Sequence, residues 1–206
     1  MNSRLKSGES LPLVEIFYSL QGEGYNFGRA LHFIRLAGCD IQCSWCDSKE
    51  SWNRESYPLI SIEEIISKIS LHHSKEVVIT GGEPTLYNLL PLTTTLKERG
   101  YYTYLESSGA YPLLGHFDWI TISPKKWKPP LLENLKKASE LKVVIEGKED
   151  FLWAEENRRL VPESTRVYLQ PEWSKREEVA KMVVGYIKEN PYWRLSLQTH
   201  NYLDIP

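Results

Sequence analysis

The chain has 206 residues and a mass of 24.0 kDa, with 25 Lys plus Arg against 27 Asp plus Glu and 41% hydrophobic residues. The resulting charge of −2 gives no global electrostatic pull toward nucleic acid, and the composition excludes disorder over most of the length. No apolar run approaches the ~20 residues that span a bilayer, and Met1–Ser10 lacks the apolar middle of a secretory signal. The expectation is one cytoplasmic domain over residues 1–206, with 1–12 a flexible amino-terminal extension and neither nucleic acid nor membrane as a partner.

Short segments rich in β-branched and aromatic residues predict strands at Val14–Tyr18, Leu31–Leu36, Glu76–Thr80, Tyr101–Leu105, Trp119–Ile122, Glu140–Ile145, Arg166–Gln170 and Arg194–Gln198. Between them, Ser61–His73 reads as a helix: Ile62, Ile65, Ile66 and Ile69 recur at helical spacing, and Ser61 with Glu64 forms a capping box. Leu89–Arg99 and Glu149–Arg159 are further helices. Ser174–Lys188 repeats the box with Ser174 and Glu177 and the stripe with Val179, Val183, Tyr186 and Ile187. Strands alternating with helices predict an α/β fold with a mainly parallel sheet. Polar motifs follow nearly every strand, at the carboxyl ends where such folds gather function. Eight complete βα units ordinarily take about 250 residues, so the expected architecture is a shortened or partial parallel (β/α) barrel.

The three cysteines, Cys39, Cys43 and Cys46, fall within eight residues in the spacing C-x3-C-x2-C. An odd, clustered set is unsuited to a disulfide framework and points to soft-metal ligation in a reducing compartment. Three thiolates leave one iron of a four-iron cluster without a protein ligand, where the amino and carboxylate groups of S-adenosylmethionine can bind. The alternatives are a zinc site completed by His32 or His200, or simple buried thiols. With Gly81-Gly82-Glu83-Pro84 after a predicted strand, the cysteine motif resembles the radical S-adenosylmethionine superfamily.

A narrower resemblance rests on several segments together. They are Phe17-Tyr-Ser-Leu-Gln-Gly-Glu-Gly24, Arg35-Leu-Ala-Gly-Cys39, Cys46-Asp47-Ser48, Ser123-Pro124-Lys125, Glu140–Ile145, Gln170-Pro171 and the ending Trp193–His200 with Ile205-Pro206. From about Glu15 onward the chain resembles the 7-carboxy-7-deazaguanine synthase family. That family makes its product from 6-carboxy-5,6,7,8-tetrahydropterin with loss of ammonia, on the route to queuosine and related deazapurines.

The resemblance implies a four-iron, four-sulfur cluster on the three cysteines, S-adenosylmethionine, and Mg2+ held by Ser48, with Asp47 as a competing ligand. It places Leu20, Gln21, Gly22, Arg35, Thr80 and the carboxylate of Pro206 at the pterin. Gly82, Ser123, Pro124, Lys125, Gln170, Pro171, Glu172 and Trp173 fall at S-adenosylmethionine, with Glu106 toward its ribose. Glu172-Trp173 departs from the family's more polar pair. Partners implied are an electron donor such as flavodoxin and a second copy in a homodimer. Lys125–Lys128 reads as a solvated loop and His72-His73 as a helix end. His200 is either a proton donor or a structural hydrogen-bonding group.

Overall fold

A computed structural model describes residues 6–206 of the chain. Its strands are β1 (Ser10–Leu20), β2 (Ala30–Leu36), β3 (Leu59–Ser61), β4 (Glu76–Gly81), β5 (Tyr102–Ser107), β6 (Trp119–Ile122), β7 (Glu140–Ile145), β8 (Arg166–Pro171) and β9 (Arg194–Leu195). The helices are α1 (Ile62–Ile69), α2 (Leu90–Glu98), α3 (Leu132–Leu135), α4 (Glu149–Arg158), α5 (Arg176–Glu189) and α6 (Thr199–Leu203). The strands form one sheet in the order β3-β1-β2-β4-β5-β6-β7-β8-β9. From β2 to β9 every neighbouring pair is parallel, whereas β1 runs antiparallel to both β2 and β3. The first and last strands do not pair, so the barrel is partial, as its length requires.

Side chains alternate across each strand, and the two faces have different chemistry. On the outer face, Ile34, Leu36, Val77, Ile79 and Leu105 pack against α1 and α2 in one apolar cluster. Leu141, Val143, Ile145, Val167 and Leu169 pack against α4 and α5 in a second. On the inner face, Leu31, Phe33, Val78 and Tyr104, joined by Phe17 and Trp119, plug the amino-terminal end of the strands. Two residues further along the same strands the inner positions turn polar: Arg35, Thr80, Glu106, Thr121 and, on β7 and β8, Lys142 and Gln170. An apolar plug beneath a polar mouth is thus written into the period-two pattern.

Several local readings differ from the sequence expectation. Within the predicted flexible extension over 1–12, Ser10–Pro12 instead pair with Leu59–Ser61, and Leu11 is fully buried. Residues 1–5 lie outside the described residues. An irregularity in register between Leu13 and Glu15 lets β1 pass from β3 to β2. Ser61 caps α1 as predicted, accepting from the Glu64 amide at 3.2 Å. Ser174 does not cap α5, because the Glu172 carboxylate takes the Ser174 and Lys175 amides at 2.9 and 3.1 Å. The predicted strand Arg194–Gln198 ends at Leu195, and Gln198 instead stands at the N-cap position of α6 without a side-chain capping bond.

The four isoleucines of α1 are all buried, and Ile65 is fully so. Ile65→Ala is expected to lower stability by about 2–5 kcal/mol, read as a shifted denaturation midpoint at unchanged m-value.

Candidate active site

The carboxyl ends of the parallel strands surround one cavity of about 380 Å3. Its upper wall is the cysteine loop between β2 and β3. Backbone bonds from Gly38 N to Ser51 O (2.6 Å) and from Cys39 N to Trp52 O (3.1 Å) pin the loop's base. The Trp127 indole donates to Ile41 O at 2.8 Å and holds its crest. Cys43 is buried, Cys39 and Cys46 are partly exposed, and all three line the cavity. Burial pushes the Cys43 thiol up to about 11 and raises Cys46 as well, while the Lys125 ammonium opposes the shift at Cys43. Three free thiols lining one mouth suit a soft metal centre, since metal binding removes the proton that burial retains on Cys43 and Cys46.

Gly82 closes that wall from β4. A Cβ there would lie 2.4 Å from Gly38 O and 2.9 Å from Cys39 Cβ, so only glycine permits the approach. The Gly82 and Glu83 amides donate to Leu36 O and Gly38 O at 2.9 and 2.8 Å. Glu83 itself is buried, and its carboxylate accepts from the Ser107 hydroxyl at 2.7 Å, from the Ser108 amide and hydroxyl at 2.9 and 2.5 Å, and from Thr85. Its charge is fully hydrogen-bonded, tying the end of β5 to the glycine segment.

On the opposite side, Gln21 donates to Glu106 at 2.9 Å and accepts from the Glu23 amide at 3.1 Å. Thr80 reaches the second Glu106 oxygen at 3.5 Å. Glu106, predicted at the cofactor's ribose, therefore binds two residues predicted at the pterin. Arg35 donates to Glu15 at 2.8 Å and to the Ser48 hydroxyl at 3.0 Å, above the Phe17 ring. Lys125 folds back onto the Ser123 carbonyl and hydroxyl at 2.6 and 2.7 Å and sits over the Trp45 ring. Burial holds its ammonium below the ordinary lysine range.

Most of the predicted site residues meet in this cavity: the three cysteines, Leu20, Gln21, Gly22, Arg35, Ser48, Thr80, Gly82, Glu106, Ser123, Lys125, Gln170 and Pro206. Four do not line it. Pro124 faces an adjoining recess with Trp153. Pro171 ends β8, Glu172 caps the turn before α5, and Trp173 packs edge-on to Tyr202 beneath Arg176. His32, weighed as a fourth zinc ligand, lies on the outer face of β2 beside Tyr18 and His72, in a separate recess. Lys126 pairs with Asp150 and Lys128 with Asp40, so two lysines of the run are held in ion pairs rather than left to solvent.

Sequence reasoning missed the buried pair Lys142–Glu23. Burial opposes the Lys142 charge, but Glu23, with Glu106 and Glu140 nearby, holds its pKa above the usual lysine value. Glu23 also accepts from Gln170 at 3.2 Å. The only signal was alternation: Glu140, Lys142 and Val144 share the inner face of an otherwise apolar strand. Glu23, Asp47 and His200 bring ligand atoms within 4.8 Å of one another. The Glu23 carboxylate is already committed to Lys142 and Gln170, however, and His200 offers a nitrogen that magnesium disfavours. Beside them, Ser48 Oγ lies 3.1 Å from Asp47 Oδ1 and 3.0 Å from Arg35 Nη1, a hydroxyl oxygen of the hard type that magnesium takes.

With this geometry in view, the sequence comparisons are specific. The Radical SAM superfamily model matches residues 33–152. The 7-carboxy-7-deazaguanine synthase of Flavobacterium psychrophilum is 47% identical over 202 residues, spanning 98% of this chain and 96% of that one. The chain belongs to the 7-carboxy-7-deazaguanine synthase family. The synthase of Synechocystis is also 47% identical, over 95% of this chain and 94% of its own. A crystal structure of QueE from Escherichia coli superposes with a TM-score of 0.83 at 30% identity, covering 95% of this chain and 97% of that one. Family membership brings the cofactors: a four-iron, four-sulfur cluster, S-adenosylmethionine and Mg2+. Among the described residues, no helix is long and apolar enough to cross a membrane.

Glu140 holds the loop after β1 by accepting from the Tyr25 amide at 3.1 Å. Burial pushes its pKa up to about 7, with Glu106 adding to the rise and Lys142 and the Tyr25 amide opposing it. The fold thus favours the protonated form. That contribution is complete below the unfolded value of about 4.5 and is lost as pH rises through 7. Between pH 5 and 8 the parent is expected to lose on the order of 2–3 kcal/mol relative to Glu140→Gln, measured by denaturant titration at both pH values.

Proposed function

We propose that this chain converts 6-carboxy-5,6,7,8-tetrahydropterin to 7-carboxy-7-deazaguanine, releasing ammonia, as a carbon-nitrogen lyase of deazapurine biosynthesis. The observation that carries this reading is the convergence of the three cysteines, the Arg35–Ser48 pair and the Gln21–Glu106 pair on one cavity. When bound, the cluster and S-adenosylmethionine supply a carbon radical able to remove hydrogen from the substrate carbon that bears the carboxylate. Everything else falls to the protein.

Cys39, Cys43 and Cys46 would hold the cluster, and the side-chain-free surface of Gly82 leaves room for the cofactor beside it. Ser123, Lys125 and Gln170 line the same region. Arg35 offers a guanidinium fork to the substrate carboxylate, exchanging its present Glu15 contact for a planar acceptor of the same kind. Gln21, Thr80 and Glu106 present alternating donors and acceptors to the pterin's polar edge, with Leu20, Gly22 and Pro206 completing the wall. Ser48 gives magnesium its protein oxygen, a hard donor suited to an ion that keeps several waters. Phe17 and Phe33 line the cavity from the apolar plug and exclude water beneath the reacting centre.

We read the chain as a single domain, because one continuous sheet runs through it. We also read it as a cytoplasmic homodimer drawing electrons from a carrier such as flavodoxin. Family analogy supports the dimer and the carrier, and clustered free thiols support a reducing compartment.

The deciding experiment is anaerobic turnover of the carboxypterin, assayed for the deazaguanine and for ammonia. Neither product with a fully reconstituted cluster would overturn the assignment. Cys43→Ala is expected to reduce bound iron and sulfide to background, and retention of four irons would place the cluster elsewhere. Arg35→Lys is expected to raise KM for the carboxypterin about 10- to 100-fold, the loss of about 1.5–3 kcal/mol of charge-assisted hydrogen bonding, while substrate-free cofactor cleavage persists.

A further inference from the structure

Ser48 Oγ has two polar neighbours. Arg35 Nη1, at 3.0 Å, can only donate, and Asp47 Oδ1, at 3.1 Å, can only accept. A hydroxyl carries one proton and two lone pairs, so this arrangement fixes all three. The proton goes to Asp47, one lone pair to Arg35, and the second lone pair is left for the cavity. Ser48 is buried, which leaves it little solvent with which to trade partners.

The orientation depends on Asp47, whose side chain is exposed and has freedom to turn. Its other oxygen, Oδ2, accepts from Gln198 Nε2 at 2.9 Å, across 151 residues of chain. Gln198 stands at the start of α6, and the next residue, Thr199, donates its amide to Gly22 O at 3.1 Å. A Cβ on Gly22 would lie 2.5 Å from His200 Nδ1, so the helix start is seated tightly against the loop after β1. Gln198 is therefore anchored independently of the cysteine loop that carries Asp47 and Ser48.

We propose that Gln198, acting through Asp47, is a positioning residue that aims the Ser48 lone pair at magnesium; the proposal rests on Ser48 being the magnesium ligand. Without the Gln198 donor, Asp47 loses one of its two anchors, and the Ser48 proton is free to rotate toward the cation. Groups that orient metal ligands typically contribute 10- to 100-fold to metal affinity.

The test measures Mn2+ as the probe ion, by the paramagnetic resonance signal of free Mn2+, in reconstituted oxidised enzyme saturated with the carboxypterin. Gln198→Leu is expected to weaken Mn2+ binding about 10-fold and to raise the Mg2+ concentration for half-maximal turnover by a similar factor, with iron content unchanged. Ser48→Ala is expected to weaken Mn2+ binding as well, and adding Gln198→Leu to it should cause no further loss. Additive losses, or parental Mn2+ affinity in Gln198→Leu, would overturn the positioning role while leaving Ser48 as the ligand. Parental Mn2+ affinity in Ser48→Ala would overturn the magnesium assignment itself, and the positioning role with it.

Discussion

The ion pair between Glu23 and Lys142 is the constraint around which the cavity is built. Both side chains are nearly removed from water, at 13% and 7% exposure, where an unpaired charge would be costly. Each is also tied to a further wall. Glu23 accepts from Gln170 on β8, and its own amide donates to Gln21, which donates in turn to Glu106 on β5. Ser196 bridges Gln170 Oε1 and the Gly24 amide at 2.7 and 3.0 Å. One buried pair thus fixes the loop after β1 relative to three parallel strands. The residues that face the pterin in the proposed function are held before any ligand arrives.

A second rigid unit faces it. The cysteine loop is pinned at its base by Ser51 and Trp52 and buttressed by Gly82, while Glu83 locks the glycine segment to β5. The two units differ in chemistry. One is a network of charge-assisted hydrogen bonds, suited to reading a polar heterocycle. The other presents thiols with little competing polarity, suited to a soft metal centre. Arg35 and Ser48 stand where they meet, which is where a carboxylate and a divalent cation can be shared.

What the sequence disclosed followed sequence distance. The α1 cap was legible because Ser61 and Glu64 are three residues apart, and the cysteine and glycine motifs because their spacing is their chemistry. The cap of α5 was misread, since a carboxylate two residues earlier competes for the same amides and nothing local tells which wins. β3 and α3, of three and four residues, are too short to show a period. The strand predicted to reach Gln198 stops at Leu195 because β9 is an edge strand with only Tyr168 and Leu169 for partners. The pairing of Lys142 with Glu23 was not legible for a different reason: 119 residues separate them, and strand alternation hints at Lys142 without naming its partner.

The unpaired ends of the sheet have a consequence for how the pocket is made. Where a closed barrel would join first and last strands by a ladder, this chain brings the loop after β1 to residues 196–199 through the Gly24–Ser196 and Gly22–Thr199 contacts, the first spanning 172 residues. Closing so long a segment is entropically expensive and comes after local contacts have formed. The two backbone bonds at the base of the cysteine loop span only 13 residues, and the bond from Trp127 that holds its crest spans 86. During synthesis the loop that carries the thiols can take its shape while the wall opposite is still missing. The wall built from residues 196–199 is thus the last part of the cavity to be made.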